Sequence, residues 1–123
     1  MFTITTEPRR KLVRIKVCGM LKVCDVADFL QQEHAAIRAM GCPVGHHFVL
    51  ADLTDCPLQL QEIIAAFQKS MTSPQRAKRV AVAVGSSLSR MQARRLLQRE
   101  EVAMFDTVAE AEKWLFREEK AAA

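Results

Sequence analysis

The alternation of short valine-rich runs with longer segments of helical period is the feature that most constrains this fold. Val80, Val82 and Val84 repeat every second residue within Arg79–Val84, and His47–Leu53 is a nearly continuous apolar run of strand length. Runs of this kind are typical of parallel strands whose two faces are both covered. The amphipathic segments between them indicate crossover helices.

The order of these segments predicts an α/β fold. Phe2–Thr6 and Leu12–Gly19 alternate apolar and polar residues and form an antiparallel pair, while Val102–Phe105 is a last short strand. We therefore predict a mixed, mostly parallel sheet of about five strands with four helices, in the order β-β-α-β-α-β-α-β-α. All of residues 1–123 form one domain in this prediction, with a frayed tail at 117–123.

Capping residues predict where the helices begin and end. Asp25 is the expected N-cap of the first helix, which Gly41 ends. The turn 54–57 opens the second helix, and the segment Thr72–Pro74 breaks it. Residues 85–87 open the third helix, and a capping-box spacing opens the fourth. Periodicity places four side chains of the middle helices on their inner faces, namely Leu60, Met71, Leu88 and Met91.

Composition and charge narrow the class of function. The 123 residues are 50% hydrophobic, and the net charge is only +4. Tyr is absent and Trp114 is the single Trp, so the aromatic side chains that stack on bases are few, and we expect no nucleic-acid partner. No apolar run is long enough to predict a transmembrane segment. No signal peptide is recognised, and we expect a cytoplasmic protein.

The cysteines and histidines predict neither a cofactor nor a metal site. Cys18 and Cys24 belong to no C-x-x-C pair, and the spacing of Cys42, His46, His47 and Cys56 matches no known metal-binding pattern. Cys56 with His46 or His47 is the only nominal nucleophile and base, which leaves a hydrolase as a third hypothesis. We expect no enzymatic activity.

Five stretches carry a resemblance to a known family. They are Phe48–Thr54, Arg79–Ser87, Arg90–Arg95, Val102–Asp106 and Ala109–Leu115. In this order they resemble the STAS fold and, within it, the SpoIIAA-like family of small bacterial proteins. The resemblance implies a non-enzymatic regulatory or protein-interaction module with a protein partner. SpoIIAA-like proteins are also similar to lipid-binding CRAL-TRIO domains, which implies the alternative of a carrier or sensor of a small apolar or amphipathic ligand.

The turn after the third strand is the first candidate binding site. Some relatives carry a phosphorylated serine at the helix start there, in an Asp-Ser-Ser-Gly type of turn. This chain has Asp52, Thr54 and Asp55 in the turn, and Thr54 is the single hydroxyl that the resemblance offers for phosphorylation. The alternative is that these residues only form the turn and cap the second helix, with Asp55 or Cys56 as the N-cap.

The turn after the fourth strand is the second candidate binding site. Ser86 and Ser87 open the third helix, where free backbone N–H groups favour anions, and Arg90 and Arg94 share one face of that helix. The alternative is that a serine is only the N-cap, and that the arginines are solvated or pair with Glu100 or Glu101. The apolar residues Met20, Leu21 and Val23 further suggest self-association as a homodimer, or a plug at one end of the core.

Overall fold

A computed structural model describes residues 1–43, 45–70 and 77–122. The elements follow the predicted order, with one short 3-10 helix at Pro8–Arg10 in the first turn. The strands are β1 Phe2–Glu7, β2 Leu12–Val17, β3 Phe48–Leu53, β4 Arg79–Val84 and β5 Val102–Phe105. The helices are α1 Val23–Met40, α2 Gln61–Ser70, α3 Ser87–Leu96 and α4 Val108–Ala122.

The five strands form one mixed sheet in the order β1-β2-β3-β4-β5. β1 pairs antiparallel with β2, and the other three pairs are parallel. Because β2 to β5 run in the same direction, each chain segment that leaves one of them starts at the same edge of the sheet. We call this the carboxyl edge, and the opposite one the amino edge.

The sheet has an apolar core on each face. On one face Val13, Ile15 and Val49 pack with α1 and α2, through side chains such as Ile37 and Ile63. The continuation of this face on β4 packs against α3. On the other face Leu12, Phe48, Leu50 and Ala81 pack against Ala111 and Leu115 of α4. The alternation of side chains along each strand explains why both faces are buried.

A group of four charged side chains joins the first turn to α4. Arg10 Nη2 lies 2.7 Å from a carboxylate oxygen of Glu7 and 2.6 Å from one of Glu112, and Arg14 Nη2 lies 2.8 Å from the same Glu112 oxygen. Arg14 also pairs with Glu7. The Arg10 guanidinium covers the ring of Phe116 at 4.6 Å. These contacts fix α4 across the antiparallel edge of the sheet.

Two helix starts differ from the prediction. Helix α1 begins at Val23 after an N-cap at Lys22, and the carboxylate of Asp25 accepts the Lys22 backbone N–H at 2.7 Å. Asp25 is therefore the third helical residue of a capping box and not the N-cap. Helix α2 begins only at Gln61, so the turn 54–57 does not open it.

The predicted inner faces of α2 and α3 are partly wrong. Leu60 precedes α2 and is 55% exposed, while Leu88 and Met91 of α3 are 61% and 52% exposed. Ala93 is the buried residue of α3. Met71 and the segment Thr72–Pro74 lie outside the described residues.

Two predictions stay open, one about the tail 117–123 and one about the number of domains. Helix α4 runs to Ala122, so the backbone of most of the predicted tail 117–123 is helical. Fraying of this tail and the single domain at 1–123 stay predictions. Among the described residues, none of the helices is long and apolar enough to cross a membrane.

Candidate functional site at the carboxyl edge

The turn after β3 is held by its own side chains. Thr54 Oγ1 donates a hydrogen bond to Asp52 Oδ1 at 2.6 Å, and the Thr54 backbone N–H donates to the same oxygen at 3.1 Å. Lys16 Nζ lies 3.8 Å from Asp52 and 3.6 Å from Asp55. A phosphate on Thr54 would break the bond to Asp52 and stand beside two carboxylates, which disfavours it electrostatically. Phosphorylation of Thr54 stays a prediction.

The alternative capping role for this turn is wrong. Asp55 and Cys56 lie five or more residues before the first residue of α2, so neither of them caps that helix. The turn instead contacts the loop after β4. A Cβ added to Gly85 would collide with the carbonyl oxygen of Thr54. Only a glycine allows this approach, and it brings the two predicted sites side by side.

One serine and one arginine of the second predicted site have structural partners. Ser86 is the N-cap of α3, and its Oγ accepts the Ser89 backbone N–H at 3.1 Å. Arg90 pairs with Asp106, rather than with the predicted Glu100 or Glu101. Ser87 and Arg94 are exposed. The capping alternative is therefore confirmed for Ser86, whereas anion binding at this turn stays a prediction.

The nominal nucleophile and base of the hydrolase hypothesis lie at opposite edges of the sheet. Cys56 follows β3 at the carboxyl edge, and His46 and His47 precede the same strand at the amino edge. Six strand residues span roughly 20 Å, which is beyond the reach of a hydrogen bond. Burial also raises the pKa of the Cys56 thiol, which disfavours the reactive thiolate. No cluster of three metal-ligating side chains occurs among the described residues.

Large exposed apolar side chains gather at the carboxyl edge. Met20 and Val23 follow β2, Leu58 and Leu60 follow β3, and the first turns of α3 after β4 add two more. Met1 lies at the same edge, because its carbonyl accepts the backbone N–H of Cys18 at 2.8 Å. All the large hydrophobic side chains that are exposed in the described part of the chain belong to this set, which we call the apolar rim: Met1, Met20, Val23, Leu58, Leu60, Leu88 and Met91.

Gln59 joins the segments that carry the apolar rim. Its side-chain Nε2 donates to the Gly19 carbonyl at 3.0 Å, and its Oε1 accepts the Leu21 backbone N–H at 2.8 Å. Its backbone N–H and carbonyl pair with the side chain of Gln92 in α3, each at 2.9 Å. These bonds hold residues 57–60 in place at the carboxyl edge, outside any helix or strand, and explain why α2 starts late. The loops after β2 and β3 and helix α3 are thus joined at one edge.

A cavity of about 200 Å³ lies between the helices α1 to α3 and the sheet. Its walls are mainly apolar, and they include Phe29, Leu30, Val49, Ile64, Phe67 and Leu96. Glu33, His47 and Arg99 add polar groups to the lining. No local sequence pattern marks this cavity, because its lining comes from many separate segments of the chain.

Burial shifts the pKa values of two polar groups in the cavity lining, Glu33 and His47. Burial raises the pKa of Glu33 to about 7, and the nearby Arg99 guanidinium opposes this rise. Burial also lowers the pKa of His47, which is 1% exposed. The Nδ1 atom of His47 is buried and has no hydrogen-bond partner among the residues that the structure describes. Such an atom is costly in a native protein unless something binds it.

Comparison with solved structures identifies the architecture. The crystal structure of an uncharacterized protein of the DUF3478 family from Shewanella loihica is similar to this chain, with 19% sequence identity and a TM-score of 0.70. The match covers 94% of this chain and 92% of that chain, and that protein is described as having a SpoIIAA-like fold. This chain has a SpoIIAA-like fold. No protein-family model and no curated protein matches the sequence.

The SpoIIAA-like fold confirms the architecture that was predicted from the sequence, namely a five-stranded mixed sheet with four helices. It also explains why the two predicted sites meet, since neighbouring parallel strands deliver their following loops to the same edge. At this level of sequence identity, the likeness establishes the fold and assigns no function.

Proposed function

We propose that this molecule is a protein-interaction module, and that a partner protein binds its carboxyl edge. The observation that supports this is the apolar rim. Exposed apolar side chains scattered singly over a surface are ordinary, whereas a concentration of them at one place is typical of a binding surface. The rim is held by Gln59, and it includes Leu58 and Leu60 just before α2 and Leu88 and Met91 in the first turns of α3.

The charged groups beside the rim set the kind of partner that fits it. Lys16 forms ion pairs with Asp52 and Asp55, and Arg90 forms one with Asp106. Positive and negative side chains are therefore both present beside the rim, and they largely pair with each other. A surface of this kind favours a partner with an apolar contact area over a strongly charged polymer. A regulatory role would follow from this binding, and a second copy of the chain is one such partner.

Site-specific cross-linking inside the cells that naturally contain this protein tests the proposal. A photoreactive phenylalanine derivative replaces Leu88 in the rim or, as the control, Ala109, which is exposed on α4 at the other face of the sheet. We expect one defined cross-linked protein from position 88 and none from position 109. Equal products from both positions, or no product from position 88, would contradict the proposal. A cross-linked dimer of this chain would identify the partner as a second copy.

Polar substitutions give a second measurement on the same surface. The double variant Leu88→Gln and Met91→Gln keeps helix-compatible residues at two exposed positions of α3. We expect roughly tenfold weaker partner binding, because apolar anchors in interfaces commonly contribute more than about 1 kcal/mol each. Ala109→Gln is the matched control and should leave binding unchanged.

We propose as a second candidate that the molecule carries or senses a small apolar or amphipathic ligand. The internal cavity favours this function, because it is mainly apolar and contains a buried histidine nitrogen without a partner in the described residues. A cavity of about 150 Å³ is known to enclose a benzene ring, so about 200 Å³ holds a short chain or a single ring. The two proposed functions use different surfaces and are compatible with each other.

A further inference from the structure

A second space adjoins the internal cavity. It is a cleft of about 270 Å³ between α3, the segment after it, and β5. Three arginines line it, namely Arg90, Arg94 and Arg99. Leu97, Arg99 and Val102 line both the cleft and the cavity, so the two spaces adjoin each other. Each space alone falls below the roughly 300 Å³ of typical ligand pockets, and together they lie within that range.

The two spaces differ in chemistry. The cavity is mainly apolar, whereas the cleft brings three guanidinium groups to one place. Asp106 pairs with Arg90, and Glu33 is near enough to Arg99 for the two charges to interact. Burial favours the neutral form of the Glu33 carboxyl group, so Glu33 opposes an anion less than an ordinary ionised carboxylate would. Positive charge therefore predominates among the cleft's lining residues.

We propose that the cavity and the cleft form one site for an amphipathic anion. The apolar tail of the ligand lies in the cavity, and its anionic head group, a carboxylate or a phosphate, lies in the cleft against the arginines. Guanidinium groups bind both kinds of head group through paired N–H donors. This inference rests on the second proposed function and gives that function a class of ligand.

Three probes with the same tail test the head group. Octanoate, 1-octanol and octylamine are titrated separately into the full-length protein at neutral pH, and binding is followed through backbone amide shifts in nuclear magnetic resonance spectra. We expect octanoate to bind at least tenfold more tightly than octanol, and octylamine to bind least. Amides of Phe29 and Val49 in the cavity and of Leu97 beside the cleft should shift together with octanoate.

A matched pair of variants tests the arginines. Arg94 lines the cleft, whereas its neighbour Arg95 does not, and both are exposed on α3, so neither substitution threatens the fold. We expect Arg94→Gln to weaken octanoate binding about tenfold and to leave octanol binding unchanged, because a charge-assisted hydrogen bond is lost. Arg95→Gln should change neither.

The outcomes separate this inference from the function on which it rests. If octanol binds as tightly as octanoate and Arg94→Gln has no effect, the anion site is wrong while the ligand-carrying function stands. If none of the probes shifts the amides of the cavity, both are wrong. Butyrate, whose tail is too short to fill the cavity, should bind more weakly than octanoate, and equal binding would contradict the placement of the tail.

Discussion

Glu33 lies on α1 beside the apolar cavity, where its charged form is poorly solvated. Its pKa is raised from 4.5 to about 7 by burial. The unfolded chain therefore ionises this group at lower pH than the folded protein does. The stability contributed by the neutral form is complete below about pH 4.5 and is lost as the pH rises through about 7.

Glu33→Gln is therefore expected to stabilise the protein at high pH only. A pKa raised to about 7 corresponds to at most ~3 kcal/mol, and we expect about 1–2 kcal/mol because the side chain keeps some contact with solvent. The measurement is the free energy of unfolding in urea near pH 4.5 and near pH 8. Near pH 4.5 the variant and the wild type should differ little.

Glu62→Gln is the control for this measurement. Glu62 is exposed on α2, so its substitution removes the same charge at a place away from the cavity. An equal effect of the two variants at every pH would argue against a buried carboxyl group. His47 is present in all three proteins, so its own titration, which lowers stability at acid pH, cancels from the comparison.

At the scale of elements, the segment 57–60 leads into α2 and connects the loop before α1 to α3, although it belongs to no helix. Gln59 provides this connection through side-chain bonds to residues 19 and 21 and through backbone bonds to Gln92. A glutamine side chain is suited to the role because it carries one acceptor and two donors on the same amide. The shape of the apolar rim therefore depends on one polar residue.

Gln59→Ala is expected to lower the free energy of unfolding by about 1–3 kcal/mol. The loss follows because the Leu21 N–H loses its partner in a part-buried place, and the exposed Gly19 carbonyl loses a hydrogen bond as well. Hydrogen exchange of the residue 19–21 amides and of α3 should speed up. Gln68→Ala, at an exposed position of α2, is the matched control and should change little. Unchanged exchange in Gln59→Ala would show that the rim holds its shape without this residue.

At the scale of the whole molecule, the two proposed sites use different parts of α3. Leu88 and Met91 belong to the apolar rim and line neither the cavity nor the cleft. Ser89, Gln92 and Ala93 line the cavity, and Arg94 lines the cleft. One helix thus presents separate faces to a partner and to a ligand.

The two sites should therefore respond independently to substitution. The double variant Leu88→Gln and Met91→Gln should change the octanoate dissociation constant less than about twofold, and Arg94→Gln should leave the cross-linking yield at position 88 unchanged, as expected for residues without shared partners. Mutual effects larger than tenfold would instead indicate that ligand binding and partner binding are coupled through α3.

The sequence by itself determined the order of elements, the strands and the buried faces of the sheet. The burial of Val13, Ile15 and Val17, and likewise of Ala111 and Leu115, follows from alternation and helical period, which are local properties of the chain. The start of α2 was not predictable, since bonds between Gln59 and residues distant in sequence override the local turn signal. The exposure of Leu88 and Met91 was missed for a related reason: the apolar period does not reveal which side chains a neighbouring element covers.

Only the tertiary structure decided where the sites lie. Thr54 and Gly85 can both be read from the sequence, but their close approach depends on the pairing of the parallel strands β3 and β4. In the sequence, nothing distinguishes Glu33 from other acidic residues of a helix, or His47 and Arg99 from other residues next to strands and in loops. Only the fold places these three side chains around one cavity. Local sequence patterns indicate which residues are buried. A cavity, in contrast, is the space left between elements that are far apart in the chain, so its position depends on how all of these elements pack together.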